Sequence, residues 1–391
     1  MSHTNPEHAL IVGGAIMGSF CAWSLRKAGF AGAITVVEKD STYQHSSTAL
    51  SAASIRTQFG TPVNIRMSLF GAGLFRDIKS VFGDEADIGF QEKGYLILGG
   101  RDQIAERVAA AEMQRSHGAD ILTLDPDELV ARFPGISFDG VGIGTLGVRH
   151  EGWFDAWSLL SLVRRAARAL GVRYLEAAVD GFATDDARIT AVSLSNGERI
   201  SCDVCILAAG PQSGRLVAPL GIRLPVVPKK RTVFSFKTPF RLDDFPMLFD
   251  SSGLWVRPEG DGYIGGIQPP AETDVDADDD FEPQHALMED LFWPLLATRI
   301  PAMEELRLGR AWAGHYEVNT LDHNGVVGAH DELANLVFAT GFSGHGLMHA
   351  PAVGRAVAEL ITSGGFRSID LTPLGWGRIR SGTPLVESIV Y

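Results

Sequence analysis

The sequence predicts an α/β protein: a Rossmann-like domain on a parallel sheet, with a β-rich second domain inserted into it twice. Three observations lead there. An apolar run, Ala9-Leu10-Ile11-Val12, enters the glycine-rich turn Gly13-Gly14-Ala15-Ile16-Met17-Gly18 and a helical stretch over 19–29. A second apolar run, Thr35-Val36-Val37, closes on the acidic Glu38. Far downstream, Leu336-Val337-Phe338-Ala339-Thr340 leads into another glycine-rich turn and a helix over 350–362, so the first domain is discontinuous.

The first unit is a βαβ dinucleotide fold. Its turn lets backbone N–H groups and a helix N-terminus approach a pyrophosphate, while the carboxylate accepts from ribose hydroxyls. An acidic Glu38, rather than a basic residue, argues against a 2′-phosphate there. One position departs from the pattern G-x-G-x-x-G: Ala15 stands where the second glycine is expected, and its methyl is expected to push the phosphate outward.

Composition narrows the class. A length of 391 residues suggests two domains, and 45% hydrophobic with 21% charged residues fits a globular enzyme. The 44 glycines suit many tight turns. A net charge of −13 argues against nucleic acid or an anionic membrane as partner, without forbidding an anionic substrate at a local cation. No apolar run is long enough for a membrane span, and no signal segment is visible, so a cytoplasmic protein is expected. Cys202 and Cys205 form C-x-x-C inside an apolar run and read as a buried strand rather than a redox pair. No metal-ligand set is expected.

Further elements follow in order. Residues 71–82 and 102–118 read as helices and 94–98 as a strand. Asp155 caps a helix over 156–170 that stops at Gly171. Strands over 172–175 and 191–194 follow, the latter ahead of an Asn196-Gly197 hairpin turn; another apolar strand covers 204–210. Short aromatic strands over 232–236 and 254–257 mark the second domain, and the acidic run 274–280 reads as a solvated surface loop. The expected division gives 1–85, 150–220 and 310–391 to the nucleotide domain, and 86–149 and 221–309 to the substrate domain.

Together with the first βαβ unit, Leu207-Ala208-Ala209-Gly210-Pro211-Gln212-Ser213 and Ala339-Thr340-Gly341-Phe342-Ser343-Gly344-His345-Gly346 make the chain resemble the D-amino-acid oxidase/glycine oxidase/sarcosine oxidase flavoproteins over nearly its full length. The resemblance implies bound FAD, a substrate domain on a mixed, largely antiparallel sheet, and oxidation of a C–N bond beside a carboxylate. It implies that Gly13, Gly14, Ala15 and Gly18 lie along the pyrophosphate, and that Glu38 lies at the ribose. Ser46 and Ser47 would lie near the phosphates, and Val179, Ala209 and Gly210 by the adenine. Gly344, His345, Gly346 and Leu347 would flank the flavin, with Gly314 and His315 near the position of a covalent flavin link in sarcosine oxidases; non-covalent FAD is the expectation.

For the substrate, Arg56 matches the family's carboxylate-binding arginine, since a guanidinium pairs bidentately with a carboxylate and stays charged when buried. A lysine sharing that role in sarcosine oxidases falls at Met348, so another cation, from Lys229, Lys230, Arg231 or Arg257, is needed to complete the clamp. No counterpart of the family's oxygen-activating lysine stands within 262–266. His345, His315 and Tyr316 are candidates to hydrogen-bond the amine or the flavin edge, and Trp255 and Trp312 to wall the cavity. The implied reaction is hydride transfer from the carbon beside an amine, then imine hydrolysis, on a sarcosine-like or iminodiacetate-like N-substituted glycine. Molecular oxygen or another acceptor takes the electrons. An NAD-linked dehydrogenase is argued against by the second glycine-rich motif. The remaining alternative is a flavin-binding subunit or assembly partner of a larger dehydrogenase complex; homo- and hetero-oligomers both stay open.

Overall fold

The computed structural model describes residues 6–185 and 187–389. β1 (His8–Val12), α1 (Ile16–Lys27) and β2 (Ala33–Glu38) form the expected parallel unit, with Ile11 opposite Val36. β1 lies inside a six-stranded sheet ordered Val326–Ala329, Leu336–Thr340, Val204–Leu207, β1, β2, Arg173–Glu176. All neighbours run parallel except the outermost pair, Val326–Ala329 with Leu336–Thr340. Ala9, Ile11, Ile34 and Val36 share one core with residues of α1, Ala156–Ala169 and Gly346–Ser363. Leu10, Val12 and Val37 share another with Ile189, Val192 and Leu194 of a three-stranded antiparallel layer. Burial on both faces is why these strands read as unbroken apolar runs rather than alternating ones.

The second sheet has eight strands, ordered Arg307–Asn319, Val226–Lys237, Gly262–Ile267, Leu254–Glu259, Met247–Phe249, Tyr95–Gly100, Val141–Gly147, Ile121–Leu124. Only Met247–Phe249 and Tyr95–Gly100 pair in parallel, so the sheet is mixed and largely antiparallel. Its core joins Leu96, Leu98, Phe234, Phe236, Leu248 and Val256 to Leu129, Phe292 and Leu296 from the helices against it. The edge strand Arg307–Asn319 pairs along almost the whole of Val226–Lys237, and so runs across the 309/310 division drawn from sequence. That long pairing carries residues 314–317 to the nucleotide domain, where the Ser47 hydroxyl donates to the His315 carbonyl at 2.6 Å.

Several local expectations change. The helix read over 71–82 is two helices, Pro62–Arg76 and Ile78–Phe82; the earlier start follows from Pro62 at the first helical position, where its missing N–H costs nothing. The last long helix begins at Gly346. The acidic run 274–280 is not simply a solvated loop, because its carboxylates pair with Arg231, Lys229, Arg215 and Lys230. Cys202 and Cys205 are buried free thiols. Among the described residues, no helix is long and apolar enough to cross a membrane.

Candidate dinucleotide and substrate site

At the carboxyl end of β1 the chain turns through Gly13 with φ +96°, a conformation that favours glycine. A Cβ on Gly13 would stand 2.3 Å from the Ala208 carbonyl oxygen, and one on Gly18 would stand 1.9 Å from the Gly13 carbonyl oxygen. Both glycines are therefore required by close backbone approach, which packs α1 against the strand crossing. Ala15 has φ −67°, open to any L-residue, so the departure from the glycine pattern introduces no backbone strain. It stands at the N-cap of α1, where the Ile16 N–H donates to the Thr48 hydroxyl at 3.3 Å and Ala15, Ile16 and Met17 border the space beyond the turn.

That space is a cavity of about 370 Å³. Gly13, Ala15, Glu38, Ser46, Ser47, Val179, Ala209 and Gly210 line it on the nucleotide-domain side, and His315, Tyr316, Gly344, Gly346 and Leu347 line its other walls. Glu38 accepts from the Gly14 N–H at 2.7 Å and the Asp40 N–H at 3.0 Å, and burial raises its pKa against those bonds. Gly14 and Gly18 serve behind the lining: a Cβ on Gly14 would meet the Tyr43 hydroxyl at 2.9 Å. Ser46 donates to the Tyr43 carbonyl at 2.7 Å and receives the Ala49 N–H, which shapes the loop bordering the cavity.

Two smaller chambers share residues with the far walls. One, of about 30 Å³, shares Ser47, Ser51, His315 and Tyr316 with the main cavity and adds Gly314, Trp255, Gln268 and Arg231. The other, of about 220 Å³, is lined by Tyr316, Arg231, Gln268, Lys229 and Asp274. Burial raises the Tyr316 pKa, so its phenol stays a neutral donor. The His315 ring stacks on Phe281 at 4.0 Å, and its Nε2 lies 2.7 Å from the Asp280 carbonyl oxygen.

Other expected residues lie elsewhere. Arg56, 3% exposed, does not line these cavities: its guanidinium donates to the carbonyls of Gln58 and Ile389 and lies 3.1 Å from His345 Nε2. His345 faces that cluster rather than the cavity, and burial, reinforced by Arg56, holds its pKa well below the usual histidine value. Arg257 is spent on the Ala52 and Pro258 carbonyls and on Glu259, which ties a loop to the sheet. Met348 is core, packed among the apolar residues beside α1. The Trp312 indole N–H holds the Leu50 carbonyl at 3.0 Å.

Nothing in the sequence pattern marks three participants. Glu317 lines the cavity and accepts from the Gly341 N–H and the Thr340 hydroxyl, both at 2.9 Å; desolvation raises its pKa. His349 lies one helical turn past His345, beside Phe59, with its pKa pushed down to about 3 by burial. Glu387 reaches back to the Gly60 and Thr61 N–H groups ahead of Pro62–Arg76.

With this geometry in hand, comparison with known proteins is informative. A family model described as DAO, FAD dependent oxidoreductase, matches residues 8–360. The "FAD-dependent oxidoreductase domain-containing protein 1" of Xenopus laevis is 42% identical, over 98% of this chain and 85% of its own length. Monomeric sarcosine oxidase of a Bacillus strain is 23% identical, over 70% and 72%. Among solved structures, L-proline dehydrogenase from P. horikoshii superposes with a TM-score of 0.85 at 26% identity, over 97% of this chain and 99% of that one.

Proposed function

Because the chain belongs to the DAO family of FAD-dependent oxidoreductases, we propose that it oxidises the C–N bond of a small carboxylate-bearing amine, with a secondary, N-substituted glycine as substrate. One observation carries this reading: the cavity beside the glycine turn shares the Tyr316 wall with two chambers lined by Arg231 and Gln268, the smaller of which also shares His315 and holds Trp255. A nucleotide-binding cleft that borders a small cationic and aromatic pocket suits an amino acid held against a flavin.

The cavity fits the cofactor in its lining: the glycine turn and helix start at Gly13, Ala15 and Ile16, the acid Glu38, and small residues at Ala209, Gly210, Gly344 and Gly346. In this reading Gly13, Ala15 and the start of α1 face the pyrophosphate, Glu38 the ribose, and Val179, Ala209 and Gly210 the adenine end. Gly344, Gly346 and Leu347 face the flavin. When bound, FAD supplies the hydride acceptor. The chain's own part is positional. Tyr316, held neutral by burial, donates a hydrogen bond toward the amine or the flavin edge. Trp255 walls the small chamber against water. Arg56 and His345 act behind this surface: the guanidinium holds the imidazole as a neutral acceptor ahead of the helix Gly346–Ser363. The substrate thus leaves as an imine, and water completes its hydrolysis. Non-covalent binding is the reading supported at His315, whose Nε2 faces the Asp280 carbonyl and whose ring is stacked.

A flavin-binding subunit without turnover of its own is the second reading. It is favoured by the chain's own carbonyls and carboxylates standing on Arg56 and Arg231. An anaerobic visible titration with sarcosine, iminodiacetate, L-proline, glycine and D-alanine separates the two. The expected result is bleaching by a secondary amine acid well ahead of glycine, with the yellow chromophore released by acid precipitation. An oxidised spectrum that none of them alters overturns the catalytic reading in favour of the subunit. Re-admitting air then separates oxygen from another electron acceptor.

A further inference from the structure

The acidic run after Gly262–Ile267 crosses back over the substrate side as a strap. Asp274 grips Arg231 with two parallel bonds, Nη1 to Oδ1 at 2.7 Å and Nη2 to Oδ2 at 2.9 Å. Both side chains are only 17% exposed, in the range where ion pairs hold geometry rather than merely decorate a surface. Beyond it, Asp276 pairs with Lys229 at 3.0 Å, the Ala277 N–H donates to the Pro228 carbonyl at 2.9 Å, and Asp280 pairs with Lys230. The strap then ends on the cofactor side, where Asp279 and Phe281 line the main cavity.

Arg231 borders both small chambers, and Asp274 borders the larger one with it. A carboxylate lying flat on a guanidinium, inside the chamber where the preceding section places an amino acid, is the arrangement that the substrate's own carboxylate would adopt. We propose that the segment 274–281 is a lid latched by Asp274 on Arg231, and that the substrate's carboxylate displaces Asp274 from this guanidinium. Arg231, not Arg56, is then the anchor, and arrival of a carboxylate is coupled to release of the lid. The inference rests on the carboxylate-bearing substrate proposed above. An intramolecular carboxylate competes at an effective concentration set by the loop, so removing its charge frees the anchor.

The test uses the flavin-loaded protein and anthranilate, an aminocarboxylate with no hydrogen on the carbon bearing its nitrogen, and so not oxidisable there. Its binding is read from the flavin spectrum, and lid opening from amide hydrogen exchange over 274–281. In the wild type, anthranilate is expected to speed exchange in that segment. Asp274→Asn is expected to bind anthranilate about tenfold more tightly and Arg231→Gln at least about tenfold more weakly, both with faster exchange. Arg231→Lys, which keeps the charge and loses the fork, lies between them. Lys237→Gln, which removes only an exposed pair with Asp261 outside the segment, leaves the affinity unchanged. Equal affinities in wild type and Asp274→Asn, or no spectral response in any variant, overturn the latch. If amines reduce the flavin while the variants bind alike, the latch alone fails. If binding tracks Arg231 and Asp274 while no amine reduces the flavin, the latch stands and the oxidative reading fails.

Discussion

The two ends of the central cavity are built by different means. At the nucleotide end the shape is made by backbone: Gly13 and Gly18 let chain segments approach at distances no Cβ tolerates, and Glu38 is held by two N–H groups. Toward Tyr316 and beyond, the structure is held by long charged side chains whose partners come from distant parts of the chain. Arg231 meets Asp274 at the chambers, and Arg56 meets Ile389 behind the cavity. The first construction is rigid and has one solution. The second is a set of exchangeable bonds, in which a ligand's oxygen can replace the chain's own.

The sharpest way to break this contrast is at Gly13. Gly13→Val puts a β-branched residue at φ +96° against the Ala208 carbonyl, and should yield protein without flavin or no folded protein. Gly73→Ala, whose added methyl meets nothing within 4 Å, should keep its chromophore. Flavin per polypeptide after purification decides it; a loaded Gly13→Val variant sinks the rigid reading. Next is Arg56→Met. It strands the carbonyls of Gln58 and Ile389, so a loss of about 2–4 kcal/mol in denaturant unfolding is expected, with KM changed far less than stability. A hundredfold rise in KM at unchanged stability would return Arg56 to the role of anchor.

The effect most gradual in onset concerns acid. His349 has its folded pKa pushed down to about 3, below the value of about 6.5 in an unfolded chain. The unfolded state therefore binds the extra proton between those values. Stability is full above about pH 6.5 and declines as pH falls toward 3, by at most about 1.4 kcal/mol per pH unit for this group. His349→Gln should flatten that decline by one proton's worth. An unchanged slope between pH 5 and 7 would show that His349 is not the titrating group.

How legible each end was in the sequence follows from the same contrast. The turn 13–18, the acid at 38 and the strand into Gly341 are local patterns, so spacing alone placed them. Asp155 as a helix cap and the Asn196-Gly197 turn were equally local. Arg56 was legible as a residue type but not as a placement, because the carbonyl it meets lies at Ile389. Arg257 and Met348 were drawn toward the site by resemblance, yet their neighbours spend one on backbone carbonyls and bury the other in the core. Glu317 was invisible because its meaning depends on the pairing of Arg307–Asn319 with Val226–Lys237, which turns that carboxylate toward Gly341. The acidic run looked solvated because its cations come forty and more positions earlier, from the neighbouring strand.

The strand order has a consequence for how the protein is made. Val204–Leu207 has β1 on one side and Leu336–Thr340 on the other. A nascent chain that has emerged only as far as the middle of the second sheet therefore carries a naked, fully apolar strand edge at the heart of its nucleotide domain. The ribosome must deliver residues 336–347 before that edge is covered and the cavity has its last wall. Until then that edge stays unpaired, and the cavity lacks the wall that Ala339, Gly344, Gly346 and Leu347 supply.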